Sequence, residues 1–245
     1  MAESAVAGKS SIDWPHYGAL GFFLLVVVFI ATLLVIVVQW MTDANRLPLA
    51  NLVVQGDLTY LATDDVREAI LQSGELGSFM TQDVGEIQTA IESLPWVASA
   101  SVRKQWPDVL KVYLVEHEPM ARWHDDALLN TYGEVFVARA TSLESLVRLA
   151  GPEGSSQEVM AQWKAMQQQL APLDVALEGV TLSSRRAWRV WLDNGIRLEL
   201  GRRSLEERLA RFITLYPELN GSNKTVEYVD LRYDTGAAVG WQKTE

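Results

Sequence analysis

The sequence predicts an α+β chain: a single N-terminal transmembrane helix, a small strand–helix–helix–strand–strand domain, and a mostly antiparallel β domain with helices packed on it. Three observations predict this. Residues 18–38, GALGFFLLVVVFIATLLVIVV, carry no charge in 21 positions. At the helical rise they span about 30 Å, the thickness of a bilayer's hydrocarbon. Between residues 49 and 116, short β-branched runs flank two stretches with helical spacing. From His117 onward β signals dominate, broken by two amphipathic stretches.

The apolar span is too long for a typical signal-peptide core, and QWMTDAN after it has no small-x-small cleavage pattern. Trp14, Tyr17 and Trp40 stand at its two ends, where amphipathic rings favour the headgroup layer. Lys9, His16 and the amino terminus precede it and Arg46 follows, a weak charge asymmetry. A short tail and a long C-terminal part suit a single pass with the N-terminus inside.

The 245 residues suffice for one or two domains, and a formal charge of -10 argues against a nucleic-acid surface, which needs clustered Lys and Arg. The absence of cysteine excludes disulfides and cysteine-based metal sites or nucleophiles.

Residues 39–48 read as a juxtamembrane linker. LANLVVQG (49–56) reads as a strand closed by Gly56. Thr63-Asp64-Asp65 offers an N-cap with acids in the first turn, Val66, Ile70 and Leu71 follow at helical spacing, and Gly74 marks a stop. Thr81 is placed to cap a second helix through Val84, Ile87, Ile91 and Leu94, ended by Pro95. WVASASVRKQ and VLKVYLVE read as two strands joined across Trp106-Pro107-Asp108; Leu110, Val112 and Leu114 alternate with Lys111 and Tyr113, so one face is buried.

In the second part, LLNTYGEVFV reads as a hairpin around Tyr132-Gly133 and SLVRLAGPEGSS as a short strand with a turn. A helix with Val159, Met160, Trp163, Met166 and Leu170 on one face follows. AWRVWL turns at Asp193-Asn194-Gly195 into IRLEL, where Asn-Gly supplies positive φ. Ser204 and Glu207 form a capping-box pattern before a helix with Leu205, Leu209, Phe212, Ile213 and Tyr216 on one face, and Pro217 marks its end. TVEYVDLRY, a turn at Asp234-Thr235-Gly236 and AAVGW close the chain.

Chemistry motifs are sparse. No phosphate loop, dinucleotide fingerprint or Gly-x-Ser-x-Gly elbow occurs. His117, Glu118, His124, Asp125 and Asp126 form one dense cluster, HEPMARWHDD, but the spacing matches no common metal motif and Pro119 breaks any helix that would align it. It reads as a polar strand end and loop. Acid pairs at Asp64-Asp65 and Glu206-Glu207 suit helix starts. Trp163, Trp188 and Trp191 read as core aromatics before a sugar groove. Arg185-Arg186 reads as a solvated strand end, with partner contact as the sharper alternative.

The last strand stands apart. From Gly236 to Trp241 it has no charge and no proline, the usual guards of an exposed edge. It is fitted to accept a strand from another chain: main-chain bonds supply strength, and Gly236, Ala237, Ala238 and Gly240 let a partner backbone approach. About five such bonds are expected.

Three stretches carry a resemblance: IESLPWVASASVRKQWPDVLKVYLVEHEPMARW (91–123), NGIRLELGRRSLEERLARFITLYP (194–217) and VEYVDLRYDTGAAVGW (226–241). They resemble the FtsQ/DivIB family of bacterial cell-division proteins, over nearly the whole chain from the span onward. The resemblance implies a cytoplasmic tail (1–17), an inner-membrane span (18–38), the linker (39–48), a periplasmic POTRA domain (49–116), a β domain (117–241) and a C-terminal tail (242–245). It implies enrichment at the septum and a non-enzymatic scaffold, without cofactor, metal or nucleic acid, that binds FtsB and FtsL and links early and late division proteins. The POTRA domain and span are implied to meet other divisome proteins. The implied FtsB contact falls on Arg232, Tyr233, Thr235, Gly236, Ala237, Ala238, Val239, Gly240 and Trp241, with Arg185 and Arg186 as further possible contacts. Thr235 stands where the family pattern has serine, keeping a hydroxyl. Two other readings are a tethered envelope enzyme acting on peptidoglycan, which requires convergent acids or a metal in a cleft, and a polypeptide-transport chaperone, which usually needs several POTRA units and a barrel.

Overall fold

A computed structural model describes residues 14–43, 51–74, 77–139, 143–222 and 224–242. The first helix, α1 (Trp14–Thr42), extends the expected span at both ends and takes in the start of the expected linker. Its segment Ala19–Thr42 is the one helix among the described residues long and apolar enough to cross a membrane, and none of its apolar window is buried by the described residues. Its two threonine hydroxyls are satisfied within the helix: Thr32 Oγ1 donates to Val28 O at 2.8 Å and Thr42 Oγ1 to Val38 O at 3.0 Å. A spanning helix requires this, because hydrocarbon offers polar groups no partner.

Contacts divide the chain into two compact units that interleave along the sequence. One holds the chain up to Gln55 with Ala62–Ile91 and Ala100–Tyr113; the other holds Gly56–Leu61, Glu92–Ser99 and the chain from Leu114.

The first unit holds β1 (Asn51–Gln55), α2 (Thr63–Gln72), α3 (Val84–Glu92) up to Ile91, and the Ala100–Tyr113 portions of β2 (Val97–Gln105) and β3 (Val109–Glu116). The sheet order is β1-β3-β2, with β1 parallel to β3. A parallel pair needs a crossover, which α2 and α3 supply. Val66 with Ile70 on α2, and Ile87 with Ile91 on α3, are i, i+4 pairs buried in the core alongside Ala100, Val102, Leu110 and Val112. Two caps differ from expectation. Ala62, not Thr63, is the N-cap of α2, because the Asp65 carboxylate reaches back to accept the Ala62 N–H at 2.8 Å. Thr81 is held in a turn, accepting the Ser78 N–H at 3.0 Å; Asp83 Oδ1 accepts the Gly85 N–H at 2.7 Å and starts α3 instead.

The second unit is a nine-stranded sheet in the order β12-β11-β10-β9-β8-β7-β4-β5-β6. Its strands are β4 (Pro119–Trp123), β5 (Ala127–Asn130), β6 (Val135–Phe136), β7 (Arg148–Ala150), β8 (Leu177–Leu182), β9 (Trp188–Leu192), β10 (Arg197–Gly201), β11 (Val226–Asp230) and β12 (Ala238–Trp241). The sheet is mixed, with β4–β7, β7–β8 and β10–β11 parallel and the other five pairs antiparallel. Helices α4 (Ser156–Leu170) and α5 (Leu205–Asn220) bury Val159, Met160, Met166, Leu170, Leu209 and Phe212 in one core with Val180, Val190, Leu198 and Val229.

Several local expectations fail here for physical reasons. PMARW is no loop: as β4 it lies inside the sheet between β7 and β5, with Ala121 and Trp123 buried. The Ser204 capping box does not form, since Ser204 adopts φ 51° and its side chain makes no cap bond. Helix α5 runs through Pro217 to Asn220. Proline costs the helix one donor and crowds the preceding turn, but the Pro217 carbonyl still accepts the Gly221 N–H at 3.0 Å, and Leu219 packs on the core to hold the extra turn.

The start of the second unit is pinned by a carboxylate. Glu116 accepts the backbone N–H of Thr59 at 2.7 Å and of Leu61 at 2.8 Å. Tyr60 stacks on Trp96 with centroids 3.9 Å apart, and Trp96 meets the edge of Phe136 at 5.6 Å.

Candidate functional site

Strand β12 ends the sheet, pairing with β11 on one side. β11 stops at Asp230, earlier than the expected Tyr233. Asp230 explains the stop. Its Oδ1 accepts the Arg232 N–H at 3.0 Å, and its two oxygens accept Nε and Nη2 of Arg232 at 2.8 and 2.6 Å, which turns the chain out of the strand. These hydrogen bonds hold the Asp230 carboxyl below the usual carboxylate range against the opposing effect of burial, and Asp230 in turn holds the Arg232 guanidinium protonated.

Residues 231–237 then cross to β12, fastened from α5 by two arginines. Arg208 donates to the Arg232 carbonyl at 2.9 Å and also reaches the Leu200 carbonyl. Arg211 donates from Nη1 to the carbonyls of Tyr233 (2.7 Å) and Gly236 (3.1 Å), and from Nη2 to that of Asp234 (2.6 Å). The Tyr233 side chain stands 58% exposed on this connection.

The direction of the edge's backbone groups follows from neighbouring bonds. Leu231 N–H bonds Glu199 O toward β10, and Gln242 N–H bonds Thr225 O toward β11. Amide directions alternate along a strand. Tyr228 and Asp230 therefore pair with Gly240 and Ala238, while the N–H and C=O groups of Val239 and Trp241 face the open edge. Two residues offer four main-chain groups, slightly fewer than the five bonds expected. Val239 and Trp241 lie opposite the buried Val229 and Val226 and share their face; Trp241 is 36% exposed. On the other face Gly240 lies under the Tyr228 ring, where a Cβ would meet the ring's Cε1 at 2.1 Å. The same ring faces the Arg197 guanidinium at 5.3 Å.

The structure thus brings Arg232, Tyr233, Thr235, Gly236, Ala237, Ala238, Val239, Gly240 and Trp241 together in one loop and strand. It does not bring Arg185 and Arg186 there. They lie in the turn between β8 and β9, with β10 and β11 intervening, and Arg186 pairs with Glu158 at 2.5 Å. His117 and His124 serve separate surroundings. His117 stacks on Phe136 at 4.3 Å, and burial pushes its pKa below 6.5. His124 meets the Trp123 ring edge-on at 4.8 Å. Among the described residues no group of three or more His, Cys, Asp or Glu is arranged to hold a metal ion. Clefts of about 430 and 380 Å³ open elsewhere, the first beside Arg122 and Asp125, the second beside Arg148, Glu178 and Trp191. Trp188 is buried and Trp163 packs on the core. Sequence reasoning missed Asp230, Arg208 and Arg211. The one available signal was the i, i+3 arginine pair beside the apolar stripe of α5.

Comparison with known proteins covers both parts of the chain. A model of the C-terminal region of cell division proteins FtsQ/DivIB matches residues 121–232, and one of the FtsQ-type POTRA domain matches residues 47–117. The cell division protein FtsQ of Aliivibrio fischeri is 48% identical over 225 residues, 91% of this chain and 88% of that protein. That of Vibrio cholerae is 46% identical over 229 residues, covering 92% and 87%. That of Escherichia coli is 49% identical over 213 residues, covering 84% and 77%.

Proposed function

This chain belongs to the FtsQ/DivIB family of cell-division proteins, and from that membership we propose that it is a non-enzymatic scaffold of the divisome. Helix α1 anchors it once in the inner membrane, with residues 1–17 cytoplasmic and the POTRA (49–116) and β (117–241) domains periplasmic, at the division septum. FtsB adds a strand to β12, FtsL joins as the third member of the complex, and other divisome proteins meet the POTRA domain and the span.

One observation carries the reading. Outward groups of Val239 and Trp241 terminate a nine-stranded sheet with no charge or proline to guard them. Four backbone bonds at about 0.5–1.5 kcal/mol each give a few kcal/mol. Covering the exposed parts of Trp241 and Tyr233 adds up to about 1.5–3 kcal/mol each. After the costs of association, micromolar or tighter binding follows. Contact is expected along Arg232 to Trp241, and Arg185 and Arg186 are drawn in only if the partner extends past β12 across the sheet.

The test is co-purification of the full chain with FtsB. Trp241→Ala and Tyr233→Ala should each abolish it while circular dichroism stays that of the parent chain; parent-like binding by either would refute the assignment. A photo-crosslinking scan of positions 225–241 in living cells should place FtsB on Val239 and Trp241 and less on Val226 and Val229.

A further inference from the structure

We propose that Arg211 is the positioning residue of the partner-binding edge, setting the affinity for FtsB without touching it; this rests on the strand-addition reading above. One guanidinium on α5 collects three carbonyls of a seven-residue connection, those of Tyr233, Asp234 and Gly236. These carbonyls belong to no strand of the sheet. The anchor is rigid, because Leu209 and Phe212 on either side of it are buried in the core. Arg208 fixes the near end of the connection at the Arg232 carbonyl, and Arg211 fixes its apex and far end.

The connection decides two things a partner needs. It holds Tyr233 outward, and it delivers Ala238 into register with Asp230, which aims Val239 and Trp241 at the open edge. Unclamped, it would sample many backbone states and lose that freedom on binding. Apparent affinity scales with the fraction of molecules already in the competent arrangement, so a fall of that fraction to about a tenth weakens binding about tenfold. A lysine cannot replace the clamp: its ammonium is a single point of charge, whereas the planar fork of arginine spans carbonyls of residues 233, 234 and 236 together.

The experiment uses the full chain in detergent and full-length FtsB, measuring affinity together with amide hydrogen exchange. Arg211→Gln should speed exchange in residues 231–237, leave α5 and β8 to β10 protected, and weaken FtsB binding about tenfold or more. Arg211→Lys should fall between Gln and the parent in both readouts. Parent-like affinity in Arg211→Gln overturns the proposal. So does a loss of affinity in both variants that comes with lost protection throughout the sheet, which marks a merely structural role. Trp241→Ala separates the two levels. If it binds FtsB as the parent does, the edge reading itself falls; if it fails to bind while Arg211→Gln binds normally, only the positioning role falls.

Discussion

Gly240 is fixed by an aromatic ring rather than by a turn. The Tyr228 ring occupies the space of a β-carbon at this position, with Cε1 at 2.1 Å and Cδ1 at 2.5 Å. Gly240→Ala should therefore push the ring off Arg197, lower stability by about 1–3 kcal/mol, and loosen β12. Differential scanning calorimetry would register the loss, and a second substitution, Tyr228→Ala, should recover part of it. Asn130 shows a comparable constraint through hydrogen bonds. Its Oδ1 accepts the N–H groups of Tyr132 and Glu134 at 3.0 Å each, so its Nδ2 must be the donor toward His117 Nδ1, 3.2 Å away. A neutral His117 that accepts this bond at Nδ1 carries its proton on Nε2. None of these roles is visible in the sequence, where residues 13 apart in one case and 12 in the other carry no shared pattern.

At the scale of the element, β12 is an edge whose two sides can be addressed separately. Val239→Pro removes a donor that faces outward and leaves the bonds to β11 in place, so stability should stay near that of the parent while affinity for FtsB falls roughly tenfold. Ala238→Pro removes a donor used by β11 and should lower the melting temperature as well; equal behaviour of the two variants in melting and binding assays would contradict the derived register. This strand was legible beforehand because its composition is local: six consecutive positions without charge or proline. The amphipathic face of α4 and the long apolar α1 were legible for the same reason. Strand β4 was not, because its five residues begin on proline and sit among His, Glu and Asp, and it is interior only through β7, which lies 25 residues further on. β8 was missed with its interior Gly179, and the three parallel pairings of the nine-stranded sheet have no local signature at all. The candidate site was half legible: the exposed strand could be read, whereas Asp230, Arg208 and Arg211 act through backbone groups 20 or more residues away or through a turn that shortens β11.

For the molecule as a whole, acid should act in two windows. His117 is depressed below 6.5, so the unfolded chain takes up that proton first and stability falls as pH drops through and below 6.5. Asp230 is depressed below 3.8, so its contribution is complete above that value and is lost as pH falls through its lower folded value. Thermal melts from pH 7 to pH 3 should show both declines. Asp230→Asn should be less stable than the parent at pH 7, with the gap closing below about pH 3.8; a gap independent of pH would remove the electrostatic account.

The parallel pairing of β10 with β11 has a practical consequence. β12 rests on β11, β11 is seated against β10 by way of the α5 crossover, and the outermost strand therefore inherits its placement from side chains such as Leu198 and Phe212 deep in the fold. A genetic screen scored by lost association would return such foundations alongside the true footprint. Proximity chemistry, which reports neighbours instead of dependence, is the assay that tells the two apart.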